Sequence, residues 1–182
     1  DREIDTLPKT QCHLGGGTLH RAFSVFLFDA DGRVLIQERA AGKMLWPGYW
    51  SNSCCSHPRP GEATEAAARR RVREELQLDC RLDFLYKFRY QAAFGSIGSE
   101  HELCYVNAGY ATGKISTDPL EIAAIRWLTP DQLGREIAAE SGLLQEFEKP
   151  PQRRRSRRQQ PHMALREPML DPTSGFLRCQ RI

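Results

Sequence analysis

The sequence has no apolar run near the roughly 18 residues a membrane-spanning helix needs, so no span is expected. It opens Asp1-Arg2-Glu3-Ile4-Asp5, without an initiator Met or an apolar leader core, so no secretory signal is expected. There is no paired C-x-x-C, which argues against a structural zinc ribbon. Its six cysteines include the adjacent pair Cys54 and Cys55, which suits a reducing compartment better than a disulfide framework. Internal repeats are absent. Tryptophan is scarce, with three in the chain and none after Trp127. What remains is ordinary for a soluble globular protein: 40% hydrophobic and 27% charged residues in a length of 182, enough for one substantial α/β domain.

The net charge of +3 is unevenly spread. Residues 149–182 hold nine Lys/Arg against two acids, whereas the first 148 hold 17 against 21. The basic character therefore belongs to the tail and says nothing about the domain. Lys149-Pro150-Pro151 leads into the arginine run Arg153 to Arg158, where no hydrophobic period survives. Such a segment cannot bury enough apolar area to offset its ordering entropy. The expected division is a folded domain over 1–148 and a disordered basic tail over 149–182, whose removal should barely move the melting temperature. Arginine runs of this kind are more often disordered or localisation-like than nucleic-acid sites, so no nucleic-acid partner is expected.

Ala22 to Phe28 is aromatic and β-branched and reads as a strand. Asp29-Ala30-Asp31-Gly32 reads as a turn and Arg33 to Gln37 as the return strand of a hairpin. Arg39 to Pro60 is punctuated by Gly42, Pro47, Gly48 and Pro58 and reads as loop. Glu62 to Leu76 has helical spacing, with Glu62 and Glu65 placed in a favourable first turn. Strands are expected over Phe84–Tyr90, Glu100–Val106 and Ile122–Leu128. A helix then runs from about Asp131 to Glu140, capped by Thr129 with Pro130 in its first turn. A hairpin plus mixed order, without a regular βαβ repeat, predicts an α+β fold: an α/β/α sandwich with a mixed sheet flanked by helices.

Chemistry concentrates in three places. Ser51 to Pro58 puts the Cys55 thiol two residues from the His57 imidazole, His13 and His20 lie upstream, and Glu100-His101-Glu102 lies downstream. On a strand Glu100 and Glu102 point to one face and His101 to the other. Three imidazoles and two carboxylates form an N/O set suited to a divalent ion, with zinc, manganese and magnesium all open. On spacing alone the same residues read more readily as scattered histidines and an exposed strand face, because sequence-distant ligands are weak evidence. Cys54, beside Cys55, suits an inert buried role.

These segments together resemble the type I isopentenyl-diphosphate delta-isomerase family, Nudix-fold enzymes of isoprenoid synthesis. The resemblance runs from about Ile4 to Pro130. It rests on His13 and His20 seven apart, on Cys55-Ser56-His57-Pro58, and on Glu100 ten residues after Tyr90. The Nudix-box positions Glu62, Arg70, Val72, Glu74, Glu75 and Leu78 are present, while Ser56, Arg71 and Gln77 replace Gly, Glu and Gly. The resemblance implies a divalent ion, Mg2+ or else Mn2+ or Zn2+, at His13, His20, His57, Glu100 and Glu102. It implies Mg2+ shared between Glu75 and the substrate, and Lys9, Arg39, Lys43 and Arg71 on the diphosphate. Cys55 on one side and Glu102 with Tyr90 on the other would move the protons, and a lowered pKa is expected for the thiol near cations.

The implied substrate is a small homoallylic or allylic diphosphate. The implied setting is a cytoplasmic monomer, or a peroxisomal one in cholesterol synthesis. The family's aromatic-rich C-terminal segment has no counterpart in residues 143–182, where Phe147 and Phe176 are the only Phe, Tyr or Trp. Alternative readings are a Nudix diphosphate hydrolase, against which Arg71 speaks, and an inactive metal-binding isoform lacking the C-terminal part of the site.

Overall fold

The computed structural model describes residues 1–140; the expected tail over 149–182 lies outside the described residues. In chain order the elements are α1 (Lys9–Cys12), β1 (His20–Phe28), β2 (Val34–Arg39), β3 (Trp50–Ser51), β4 (Cys54–Ser56), α2 (Thr64–Leu76), β5 (Leu82–Phe94), β6 (Gly98–Tyr110), β7 (Ile122–Leu128) and α3 (Pro130–Glu140). The seven strands form one mixed sheet with the path β3-β2-β1-β6-β5, in which β4 also pairs with β1 and β7 with β2. The β1–β6 pairing is parallel, from His20 opposite Glu102 to Phe28 opposite Tyr110. The other pairings are antiparallel.

Period-2 alternation sorts β1 onto two cores. Phe23, Val25 and Leu27 face α2, where Ala67, Ala68, Val72 and Leu76 complete one buried cluster. The small Ala67 and Ala68 let the helix lie close to the sheet. Phe26 and Phe28 face the other way, with Val34, Ile36, Leu128 and Leu133 of α3. Helices therefore cover both faces, as the α/β/α expectation requires. Burying each large apolar side chain contributes about 1.5–3 kcal/mol relative to exposure.

Several expectations change. The hairpin at Asp29–Gly32 forms, with the Asp29 carboxylate accepting from the Asp31 and Arg33 amides, yet β1 and β2 share only the pair Phe28 and Val34. Beyond it β4 takes the place beside β1, and β2 pairs with β7 instead. The stretch read as loop thus carries two short strands. Glu62 lies ahead of α2 rather than in its first turn, since the helix starts at Thr64. There it accepts two hydrogen bonds from Arg70, which hold its carboxyl down to about 2. Gln77, where the box carries Gly, ends α2 in the left-handed conformation at φ 53°, which is the backbone reason a glycine suits that place. Thr129 caps α3 as expected, its hydroxyl accepting from the Gln132 amide while Gln132 returns the bond.

Candidate active site and metal centre

The site is built on the sheet face opposite α2. Register places Cys55 opposite Ser24 of β1, Glu102 opposite His20 of β1 and Tyr90 of β5, and Glu100 opposite Ala92. Because paired residues share a face, Cys55, Ser24, Ala22, His20, Glu100, Glu102, Cys104 and Tyr90 lie on one side of the sheet. Cys54 faces the α2 core, fully buried, as its expected inert role requires. His101 likewise faces away, where it meets the Arg89 guanidinium.

The loop before β1 reaches this face because β6 begins with a glycine. A Cβ on Gly98 would collide with the His13 carbonyl. That carbonyl instead accepts from the Ser99 amide at 2.8 Å, and the Ser99 carbonyl accepts from His13 Nδ1 at 3.1 Å. Among the described residues, His13, His20, His57 and Glu102 form one group whose potential ligand atoms lie within 4.8 Å of one another. Their rings stand 4.8 to 5.1 Å apart, and Glu102 Oε1 is 3.2 Å from His57 Nε2 and 3.7 Å from His20 Nε2. Glu100 stands beside this group rather than in it. Tyr90 donates its hydroxyl toward both carboxylates, at 2.8 Å to Glu100 and 2.8 Å to Glu102. The expected five-residue set is therefore a four-residue group with Glu100 adjacent. Glu75 belongs to α2 and is not a member.

Burial, with the charge of His57, pulls His13 down to about 4. Burial also lowers His57, although Glu102 opposes it. Burial would lower His20, but the Glu102 carboxylate, the Thr18 carbonyl and the Glu100 charge together raise it. Burial would raise Glu102, but hydrogen bonds to His20 and His57 hold it below the usual carboxylate range. Burial and the Glu102 charge push Glu100 up to about 7, and burial with both carboxylates raises Tyr90 well above its ordinary value. The expected lowering of Cys55 is overturned: burial raises its thiol even though the Arg39 guanidinium, 3.8 Å from Sγ, opposes the shift. At neutral pH Cys55 is a protonated thiol.

The donor set fits a divalent ion. His20 Nε2 is buried with nothing closer than the Glu102 carboxylate at 3.7 Å, a cost that a cation held by the group would relieve. His13 and His20 orient their Nδ1 atoms on the Ser99 and Thr18 carbonyls, which leaves both Nε2 atoms for the group. Ion binding must expel the protons that Glu100 and His20 hold below their raised pKa values. Mn2+ binding to metal-free protein should release protons at pH 6 and progressively fewer as the pH rises through about 7, the Glu100 value, with affinity rising over the same range. Calorimetry in buffers of different ionisation enthalpy measures this, and an affinity flat between pH 6 and 8 would contradict it.

The four expected diphosphate cations come together less freely than the sequence implied. Arg39 spends its guanidinium on the Leu45 carbonyl at 2.9 and 3.2 Å. Lys9, on α1, lies near enough that its charge bears on His57 and Lys43. Arg71 meets three carboxylates, Glu75 at 2.5 Å, Glu74 at 2.8 Å and Glu121 at 3.0 Å, while Lys43 also contacts Glu121. Sequence reasoning missed Glu121, a lone acid with no motif around it. It also missed the buried Ser51, Asn52 and Ser53, which lead into β4. Asn52 Nδ2 donates to the Cys54 carbonyl at 3.0 Å and Ser53 Oγ to the Leu35 carbonyl at 2.6 Å, satisfying backbone that would otherwise be buried unpaired.

A mixed sheet between helices, with the Glu62/Arg70 clasp ahead of α2, defines a Nudix-type domain, and residues 18–150 match the family described as NUDIX domain. A structure of DR0079 from Deinococcus radiodurans is similar with a TM-score of 0.56 and 28% identity, over 66% of this chain and 73% of that one. The isopentenyl-diphosphate Delta-isomerase of Nocardia farcinica is 45% identical over 140 residues, 76% of this chain and 80% of that protein. Isopentenyl-diphosphate Delta-isomerase 1 of Photorhabdus laumondii is 44% identical over 126 residues, 68% of this chain and 72% of its own. The chain belongs to the isopentenyl-diphosphate Delta-isomerase family of the NUDIX group.

Proposed function

We propose that the sheet face bearing Cys55 and Glu102 is where this chain moves protons on a five-carbon diphosphate. The chain is an isopentenyl-diphosphate delta-isomerase of isoprenoid synthesis, interconverting isopentenyl and dimethylallyl diphosphates. The reaction adds a proton to the terminal methylene carbon, leaving a tertiary carbocation, and removes a different proton from the adjacent chain carbon. It needs an acid and a base on opposite sides of a flat hydrocarbon.

The observation that carries the assignment is the strand order: Cys55 on β4 and Glu102 on β6 flank β1, whose residues between them are the small Ala22 and Ser24. Across the sheet the two are two strand spacings of about 4.8 Å apart, and along β1 they are offset by four residues, from the level of Ser24 to that of His20. The Glu100 and Glu102 charges still bear on the Cys55 thiol, so the two walls face one diagonal floor. Each wall holds a transferable proton at neutral pH. Cys55 carries one on its raised thiol, and Tyr90 carries another on the hydroxyl it donates toward Glu100 and Glu102. One wall gives its proton and the other accepts, and the roles exchange with the direction of reaction. Arg39 stands ready to stabilise a Cys55 thiolate.

His13, His20, His57 and Glu102, with Glu100 adjacent, would hold the divalent ion. Bound there it supplies positive charge that keeps the carboxylates ionised and fixed. Glu75 would meet a second ion carried by the diphosphate, Mg2+ being the hard oxygen-seeking choice. Lys9, Arg39, Lys43 and Arg71 would bind the diphosphate oxygens. Hydrolysis is disfavoured because Arg71 lies among the carboxylates that a water-activating metal cluster would need. Among the described residues no helix is long and apolar enough to cross a membrane. A cytoplasmic monomer acting on a small diphosphate is the proposed setting; the relatives are bacterial and lend no support to a peroxisomal or sterol-pathway one. Parallel assays of Cys55→Ala and Cys54→Ala test the wall assignment, with loss expected in the first and retained turnover in the second.

A further inference from the structure

Glu121 lies between two of the diphosphate cations. It is the residue before β7, and its carboxylate contacts Lys43 Nζ with Oε2 and Arg71 Nη2 with Oε1, the latter at 3.0 Å. These three side chains are well covered, with exposures of 23% for Glu121, 20% for Lys43 and 16% for Arg71, so the contacts are shielded from screening. The backbone of Glu121 is fixed as well. Its amide and that of Ile122 donate to the Asp118 carbonyl at 3.0 and 2.9 Å. Its carbonyl accepts from the Ala40 amide at 3.0 Å, and the Ala40 carbonyl accepts from the Lys43 amide at 3.1 Å. Glu121 thus holds the Lys43 loop twice, once through backbone and once through charge, and joins it to α2.

We infer that Glu121 is a positioning residue for diphosphate recognition: its single carboxylate spans the loop cation Lys43 and the helix cation Arg71 and sets their separation. The inference rests on the assignment of those two cations to the substrate diphosphate. Without it each cation would be held by other groups and the separation would no longer be set. Lys43 feels the attraction of Glu75 against the repulsion of Arg39 and Lys9, and Arg71 has Glu74 and Glu75 to turn to on its own helix. A flexible Lys and a displaced Arg would have to be gathered by the incoming anion, an ordering cost that falls on binding rather than on proton transfer.

The test uses the full chain with Mg2+, inorganic diphosphate as the binding probe and isopentenyl diphosphate as substrate. Glu121→Gln should weaken diphosphate binding and raise KM by about tenfold each, with kcat within about twofold. Glu121→Asp, one methylene shorter but still charged, should recover part of that loss and serves equally if the Gln variant unfolds. In a Lys43→Gln background the Glu121→Gln effect should shrink, since one of its two partners has gone. Unchanged or tighter diphosphate binding in Glu121→Gln, a loss confined to kcat, or full additivity with Lys43→Gln would each overturn the inference. If the unmodified chain itself fails to bind inorganic diphosphate, the fault lies in the diphosphate assignment and not in Glu121.

Discussion

Cys55→Ala should lower kcat by about 10²- to 10⁴-fold while the melting temperature moves by only a few degrees. Cys55 lies on β4, not in the loop its sequence implied, so an alanine keeps the strand pairing with β1 intact. The lost sulfur packs beside Arg39 and not in the core cluster, so little cavity energy is at stake. Cys54→Ala should do the reverse. Cys54 is fully buried in the core under α2, so truncating it costs about 1–2 kcal/mol of stability yet leaves turnover nearly whole. Thermal melts and steady-state assays on the two variants give opposite signatures. Turnover in Cys55→Ala equal to the parent would remove the thiol from the mechanism.

The second large effect concerns the metal. His57→Ala combined with Glu102→Gln removes two of the four grouped donors, including the carboxylate that touches both His20 and His57. Divalent-ion content measured by elemental analysis should fall to about a tenth of the parent's or less, because two remaining imidazoles cannot hold a labile divalent ion. His101→Ala, on the opposite face, should keep its metal. Full occupancy in the double variant would mean that the ion is held elsewhere.

How much of this was legible in the sequence differs from residue to residue. Glu100 and Glu102 sharing a face, and His101 opposing them, follow from strand alternation alone, and the structure keeps both. The split between Cys54 and Cys55 follows the same rule once β4 is known to be a strand. Its three residues among prolines and glycines gave no period to read. The parallel pairing of β1 with β6 joins His20 to Glu102 across a long intervening chain, and no local pattern encodes such a contact. The direction of the Cys55 shift was misjudged because a sequence reveals nearby cations but not burial, and burial is the larger effect here. Glu121 was invisible for a related reason. Only the fold brings the residue before β7 to the end of the Lys43 loop and the side of α2.

The most direct measurement of the whole account is turnover by the full chain in D₂O, with isopentenyl diphosphate and Mg2+, followed by NMR. Dimethylallyl diphosphate should form with deuterium in the new methyl group and with the diphosphate intact, because the added proton comes from groups that exchange with solvent. A metal-loaded chain that releases phosphate, or leaves isopentenyl diphosphate unchanged and undeuterated, would contradict it.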